Sequence, residues 1–363
     1  MKSILLASTA VIALAGAAAA EVSFGGEATL GYNDNSTTGN DGFYWDANIA
    51  VTLSQTLDNG LTAGATFDFD VAATNLGTTL TTGGYVLFVE SDTAGLFFGD
   101  TAFAAETRWV SAGDMEADGF SEADGETALR GDIAYGPVEA SVSYVLAAND
   151  GTMNTADDLN QLSLGMVGTF GNFDVALAYQ EESGEAAGFY STGFGDNGDF
   201  SDDEIFGISV GAAFAGADFR LAYASNETSG EDSTGLSVSY PVGPVVLGAY
   251  YVSESDPTGD NWGINVAYEN GPISVGLDYQ DDQGVEKIEV EGSYDVGNGL
   301  MVYAGYLTED GTEDRFYVAG GYDLGGGASL LVSYAEDDDN VDEDEIGAGE
   351  YQVGTTVEVS FEF

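Results

Sequence analysis

The sequence predicts an all-β protein, a transmembrane antiparallel up-and-down β-barrel with an even number of strands, and three observations predict it. Apolar and polar residues alternate with period two along nearly the whole chain. Short Gly-, Pro- and Asn-containing turns at one end of the strand pairs oppose long acidic loops at the other. Tyr and Phe gather near both ends of the apolar strand faces.

The chain begins with an address. Lys2 supplies a positive start, residues 4–15 form an apolar run, and Ala18-Ala19-Ala20 offers a small-residue cleavage site before Glu21. Residues 1–20 are therefore expected to be a secretory signal peptide that is removed, leaving 21–363 as a single domain. The apolar run is too short to span a membrane as a helix, and no later stretch is long enough either. Insertion in a membrane would have to be as a barrel.

From Glu21 onward the strands follow in order. Phe43, Trp45, Ala47, Ile49, Val51 and Leu53 alternate with Tyr44, Asp46, Asn48, Ala50 and Thr52. Asp58-Asn59-Gly60 is a tight-turn sequence, and Leu61, Ala63, Ala65, Phe67 and Phe69 then alternate with Thr62, Gly64, Thr66, Asp68 and Asp70. Later turns fall at Gly136-Pro137, Gly171-Asn172, Gly216-Ala217, Asn270-Gly271-Pro272, Gly297-Asn298-Gly299 and Gly325-Gly326-Gly327. Direct counting gives about 20 strands. The last runs from Tyr351 to Phe363 with Val357, Val359 and Phe361 on its apolar face.

A soluble sandwich also alternates, but its apolar face is internal and its edges must be hidden. Here Tyr135, Phe170, Phe173, Phe214 and Tyr322 mark the short-turn end of the apolar face, and Tyr179, Tyr223, Tyr251, Tyr306 and Tyr334 the long-loop end. Two aromatic bands around an aliphatic belt suit rings resting at both membrane interfaces.

Composition excludes several functions. The 363 residues hold 63 Asp+Glu against 6 Lys+Arg, a net charge of −57, with no Cys and no His. Disulfides, thiol nucleophiles, Ser–His triads and most zinc enzymes are thereby removed. So negative a chain repels nucleic acid. The 44% hydrophobic content separates it from a solvated acidic tail. Only a carboxylate pair could serve catalysis, and with 63 acids some pair meets any spacing by chance. No enzyme is expected.

Five segments stand out in order: Glu21-Val22-Ser23-Phe24-Gly25-Gly26-Glu27-Ala28, Gly60-Leu61-Thr62-Ala63-Gly64-Ala65-Thr66-Phe67, Gly99-Asp100 after Leu96-Phe97-Phe98, Thr169-Phe170-Gly171-Asn172-Phe173 and Tyr322-Asp323-Leu324-Gly325-Gly326-Gly327-Ala328-Ser329. In these the chain resembles the outer-membrane general diffusion porins of alphaproteobacteria, of the Rhodobacter type. The resemblance covers nearly all of 21–363. It implies a homotrimer of water-filled barrels in the outer membrane of a Gram-negative bacterium, among lipid and lipopolysaccharide, passing small hydrophilic solutes and ions. It implies 16 strands, a third long loop folded inward, and recognition of the terminal Phe363 by the outer-membrane assembly machinery.

The segment matching that loop is 100–126, which carries Glu106, Arg108, Asp114, Glu116, Asp118, Glu122 and Asp124, with Arg130 on the next strand. These are the expected pore constriction. The family faces its acidic loop with a basic cluster on the early strands, whereas this chain has no basic residue there before Arg108. Alternation puts Asp46, Asp68, Asp70, Asp132, Asp174, Asp218, Arg220, Lys287, Glu289 and Glu291 on the lumen wall. Such an excess of acids predicts cation preference. A structural or adhesive barrel with a closed lumen, or a substrate-specific channel, are the alternatives. No cofactor is expected. Asp196, Asp199, Asp202 and Asp203 form an oxygen-rich run that weakly bound Ca²⁺ would suit, beside the plainer expectation of a solvated acidic surface.

Overall fold

The computed structural model describes residues 20–35, 41–74, 81–122, 126–146, 159–183, 200–255, 259–312, 314–336 and 351–363. The first five strands are β1 (Glu21–Asp34), β2 (Gly42–Thr56), β3 (Thr62–Ala73), β4 (Thr81–Ser91) and β5 (Ala94–Gly99). A short helix, α1 (Ala104–Arg108), and a 3-10 turn, Glu116–Asp118, interrupt them. There follow β6 (Ala128–Tyr135), β7 (Val138–Leu146), β8 (Leu159–Phe170), β9 (Phe173–Gln180) and β10 (Ile205–Phe214). Next come β11 (Ala217–Asn226), β12 (Glu231–Val242), β13 (Val245–Glu254), β14 (Asn261–Asn270) and β15 (Ile273–Asp282). The chain closes with β16 (Val285–Gly297), β17 (Leu300–Glu309), β18 (Arg315–Gly325), β19 (Ala328–Glu336) and β20 (Gly354–Glu362).

Among the described residues these twenty strands make one antiparallel sheet, each strand pairing with its sequence neighbours. β20 pairs with β19 on one side and β1 on the other, with Phe361 opposite Ala28 and Val359 opposite Leu30. The sheet is thus closed and every ladder hydrogen bond is made within it. That is the condition for a sheet to cross a bilayer, where no water is available to satisfy an edge. The directly counted 20 strands stand, and the 16 implied by the resemblance do not, because β10 to β19 continue the meander without a break.

Most strands have the nine or more residues needed to cross at a tilt. β5, with six residues, is the shortest. It stops at Gly99, whose φ is +125°. A Cβ at Gly99 would lie 2.0 Å from the Tyr85 carbonyl oxygen, so only glycine lets the chain leave the wall there. The third long loop begins at that point.

Outward positions carry the apolar residues. Leu30, Leu221, Ile264, Val318 and Val332 are exposed around the belt, and Tyr135, Phe170, Phe214, Tyr306 and Tyr334 near its two ends. In water such a continuous apolar surface would drive aggregation; in lipid it is the required solvent boundary. Among the described residues the interior holds four separate buried clusters and no single core. Its buried clusters lie where the third long loop meets the wall and around Tyr317 on β18.

Candidate functional site

The loop after β5 folds into the barrel and lies against the wall. Its first contacts complete α1. The opening N–H groups of a helix have no partner within it; here Ala104 N donates to Ser143 Oγ on β7 (2.9 Å) and Ala105 N to Ser163 Oγ on β8 (2.8 Å). The wall therefore caps the helix. Farther along, Ala117 N donates to Ser233 Oγ on β12 (2.9 Å) and Ser121 N to Gln180 Oε1 on β9 (2.8 Å). Asn261 Nδ2 on β14 donates to the Asp114 carbonyl (3.1 Å), and Gln280 Nε2 on β15 to Asp114 Oδ2 (3.1 Å).

Close approach is possible because the wall beneath the loop is nearly flat. A Cβ on Gly165 of β8 would be 2.0 Å from the Ala104 carbonyl oxygen, and one on Gly235 of β12 would be 2.3 Å from that of Ala112. At Gly207 of β10 it would strike the Trp109 ring at 2.5 Å. Small wall residues complete the seat: Phe120 packs with Ala178 and Ile205, Met115 with Ala222 and Ala224, and Phe103 with Ala128 and Val145. The loop is thus bound to β6–β15. The wall from β16 through β20 to β4 is left facing it.

The residues expected at the constriction separate into two kinds. Arg108 donates from Nε to Ser141 Oγ (3.0 Å) and pairs with Glu139 on β7. Glu106 accepts from Phe103 N (3.2 Å), closing the first turn of α1. Arg130 donates to the Ala102 carbonyl (2.8 Å), pairs with Asp132 (3.2 Å) and lies over the Phe97 ring. These brace the base of the loop. Glu116 donates its N–H to Glu254 Oε1 (3.2 Å), and its own Oε1 accepts from Asn261 Nδ2 (3.4 Å). Asp118 accepts from Trp109 Nε1 (2.7 Å). Burial pushes the Asp118 carboxyl up to about 7, against the Trp109 N–H and with Glu254 and Glu116 adding to the rise. Glu122 is exposed, and Asp124 lies outside the described residues.

On the lumen wall, Asp46 lies on β2, Asp68 and Asp70 on β3, Asp132 on β6, Asp218 on β11, and Lys287, Glu289 and Glu291 on β16. Arg220 on β11 bonds Asp174 on β9 (2.7 Å) and Ser209 Oγ (3.1 Å). Lys287 pairs with Asp282 (3.4 Å) and Arg315 with Glu309. Each of the five basic residues beyond Lys2 therefore already faces a carboxylate. The 63 acids far outnumber the bases available to them.

Of the run expected to suit Ca²⁺, Asp196 and Asp199 lie outside the described residues. Asp203 Oδ2 accepts from Asn226 Nδ2 (2.6 Å), and the Asp202 carbonyl accepts from Ser183 N (2.8 Å). Among the described residues a different trio, Asp114, Glu116 and Asp282, brings three carboxylate oxygens within 4.8 Å of one another. Amides of Asn261 and Gln280 and the Lys287 ammonium already serve it, so it is a hydrogen-bonded hub anchoring the loop.

Sequence reasoning missed the tyrosines of the facing wall. Tyr303 on β17, Tyr317 on β18 and Tyr44 on β2 alternate with outward neighbours and so point inward. Tyr351, just before β20, comes in with them and packs its ring at a tilt against that of Tyr317, with centroids 4.7 Å apart. The available signal was the alternation itself, which put Tyr44 in the polar set.

A family model described as Gram-negative porin matches residues 7–342. No curated protein matches the chain. Solved structures of similar fold include mutants of the porin of Rhodopseudomonas blastica. One aligns over 94% of this chain and 100% of its own at 14% identity and a TM-score of 0.47. Another aligns with the same coverage at 15% and 0.43, and a triple mutant, again with that coverage, at 14% and 0.42.

Proposed function

The chain belongs to the Gram-negative porin family, and on that premise we propose that it is a cation-preferring diffusion channel for small hydrophilic solutes and ions. A porin is an outer-membrane channel rather than an enzyme, and the closed barrel supplies the path. The cation preference rests on one observation. Every base beyond Lys2 is paired with a carboxylate, while the loop-free wall presents Glu27, Asp68, Glu291 and Glu358 with no base opposite. Uncompensated carboxylates in a narrow aqueous path attract cations and repel anions. Their field reaches about 8 Å at physiological salt, the distance that matters beside a loop seated on the opposite wall.

The finer assignments belong to the same proposal. The likeness of individual segments supports placement with the alphaproteobacterial, Rhodobacter-type porins. Residues 1–20 have the make-up of an export signal. Gly26, Ala28, Ala47, Ala63 and Ala65 face outward on β1 to β3, and such small residues allow barrels to approach closely, as a homotrimer requires. The loop 100–126 narrows the path from one side. No cofactor is needed, and divalent cations held loosely by loop carboxylates such as Asp202 and Asp203 would serve only as counter-ions.

The test is purified protein in a planar bilayer together with liposome swelling by sugars of increasing size. Stepwise conductance with a sharp size cut-off is expected. A protein that inserts but neither conducts nor admits any sugar would instead be the closed structural barrel.

A further inference from the structure

The facing wall carries a recess of about 680 Å³ that runs down β17 to β20 and β1, and its lining includes Tyr303, Leu331, Tyr351, Glu27 and Glu358. Tyr351 and Tyr303 pack with Leu331 against the buried Tyr317, so two rings and a leucine line one side of an aqueous path. The hydroxyls are engaged by carboxylates: Tyr317 donates to Glu291 Oε2 (3.1 Å) and Tyr44 to Glu358. Those bonds fix Tyr317, behind the lining rings, and Tyr44, and leave each carboxylate further lone pairs. Asn48 Nδ2 donates to Glu27 (2.8 Å) and Ser360 Oγ to Glu358 (2.9 Å), both neutral donors. Among the described residues no Lys or Arg pairs with Glu27, Glu291 or Glu358. Arg315, on the same face of β18 as Tyr317, pairs with Glu309.

A hydrated inorganic ion gains little from ring faces, and a sugar, although its hydroxyls can donate to carboxylates, carries no charge to offset their surplus. A weakly hydrated organic ammonium uses both, its charge lying over tyrosine faces and near carboxylates. From this pairing of rings with uncompensated acids we infer that the recess binds organic ammonium cations of the trimethylammonium kind as they pass. The inference rests on the channel proposed above. The site selects among cations, which a general acidic lumen does not.

The probe is choline, with its uncharged carbon isostere 3,3-dimethyl-1-butanol as the match for size and shape. Each is added to the bath while K⁺ current through single channels is recorded. Choline is expected to block transiently, at a half-blocking concentration at least about tenfold below that of the isostere, the factor that one or two ring contacts supply. Tyr351→Leu, outside the strands, should raise the choline value about five- to tenfold, and Glu358→Gln should also raise it. Equal block by choline and the isostere overturns the site. So does an unchanged choline value in both Tyr351→Leu and Tyr303→Leu, with K⁺ current in each showing that the barrel has formed. Absence of K⁺ current in the unaltered protein would defeat the channel proposal itself, and the recess with it.

Discussion

Gly165→Ala should unseat the start of the constriction loop. The added Cβ would lie 2.0 Å from the Ala104 carbonyl oxygen and 2.7 Å from the Arg108 stem. An ordinary carbon–oxygen contact is about 3.3 Å, so α1 must retreat by roughly 1 Å. Its two hydrogen bonds to the wall, 2.9 Å to Ser143 and 2.8 Å to Ser163, then pass beyond useful range. Ala104 and Ala105 are wholly buried, and a buried N–H left without a partner costs about 1–3 kcal/mol. The seated loop should lose about 2–6 kcal/mol, and at about 1.4 kcal/mol per factor of ten the lower figure alone is roughly 30-fold. Ala is no worse than Gly within a strand, so the barrel itself should be unharmed. Hydrogen exchange at the Ala104 and Ala105 amides reads the effect: exchange should quicken at least about 30-fold, with noisier open-channel current. Unchanged exchange would refute the account of how the wall holds the loop.

Asp118→Asn should abolish a pH dependence. Its carboxyl, pushed up to about 7 by burial, binds a proton more tightly in the folded loop than in the unfolded chain. Folded stability is therefore greatest in acid and declines as pH rises from about 4 to about 7, a span worth about 4 kcal/mol. Asn can still accept from Trp109 but cannot ionise, so the protection of residues 114–122 against hydrogen exchange, relative to the intrinsic rate at each pH, should lose most of its decline across that range; an equal slope in both proteins would count against it. Deleting residues 114–124 should raise single-channel conductance, and an unchanged conductance and size cut-off would show that another element sets the narrowest point.

Period-two alternation carried most of the fold because a barrel wall has one lipid face and one water face along every strand, as β1 and β2 illustrate with Leu30, Trp45 and Ile49 against Thr29, Asp46 and Asn48. Tight turns gave the strand number where the resemblance implied fewer. The loop's place in the order followed from the resemblance together with the strand count. Its attachment was not, since Ser143, Ser163, Ser233 and Asn261 look like any polar lumen residue until register brings them to the loop. A faint signal was present: Gly165, Ala178, Gly207, Ala222, Ala224 and Gly235 keep the lumen face of β8 to β12 small, where an open channel has no need of it. Tyr317 and Tyr351 were hidden for a different reason. Tyrosines at strand ends read as interface rings, and Tyr351, which lies before β20, is placed in the lumen by its contact with the inward-pointing Tyr317.

The reversal potential across a KCl gradient at about pH 7, repeated at about pH 4, tests the central claim most directly. With each lumen base paired and the facing wall acidic, the potential at neutral pH should lie on the K⁺ side of zero. It should move toward zero in acid as carboxylates take up protons. A potential on the Cl⁻ side at neutral pH would contradict the lumen register and the selectivity together.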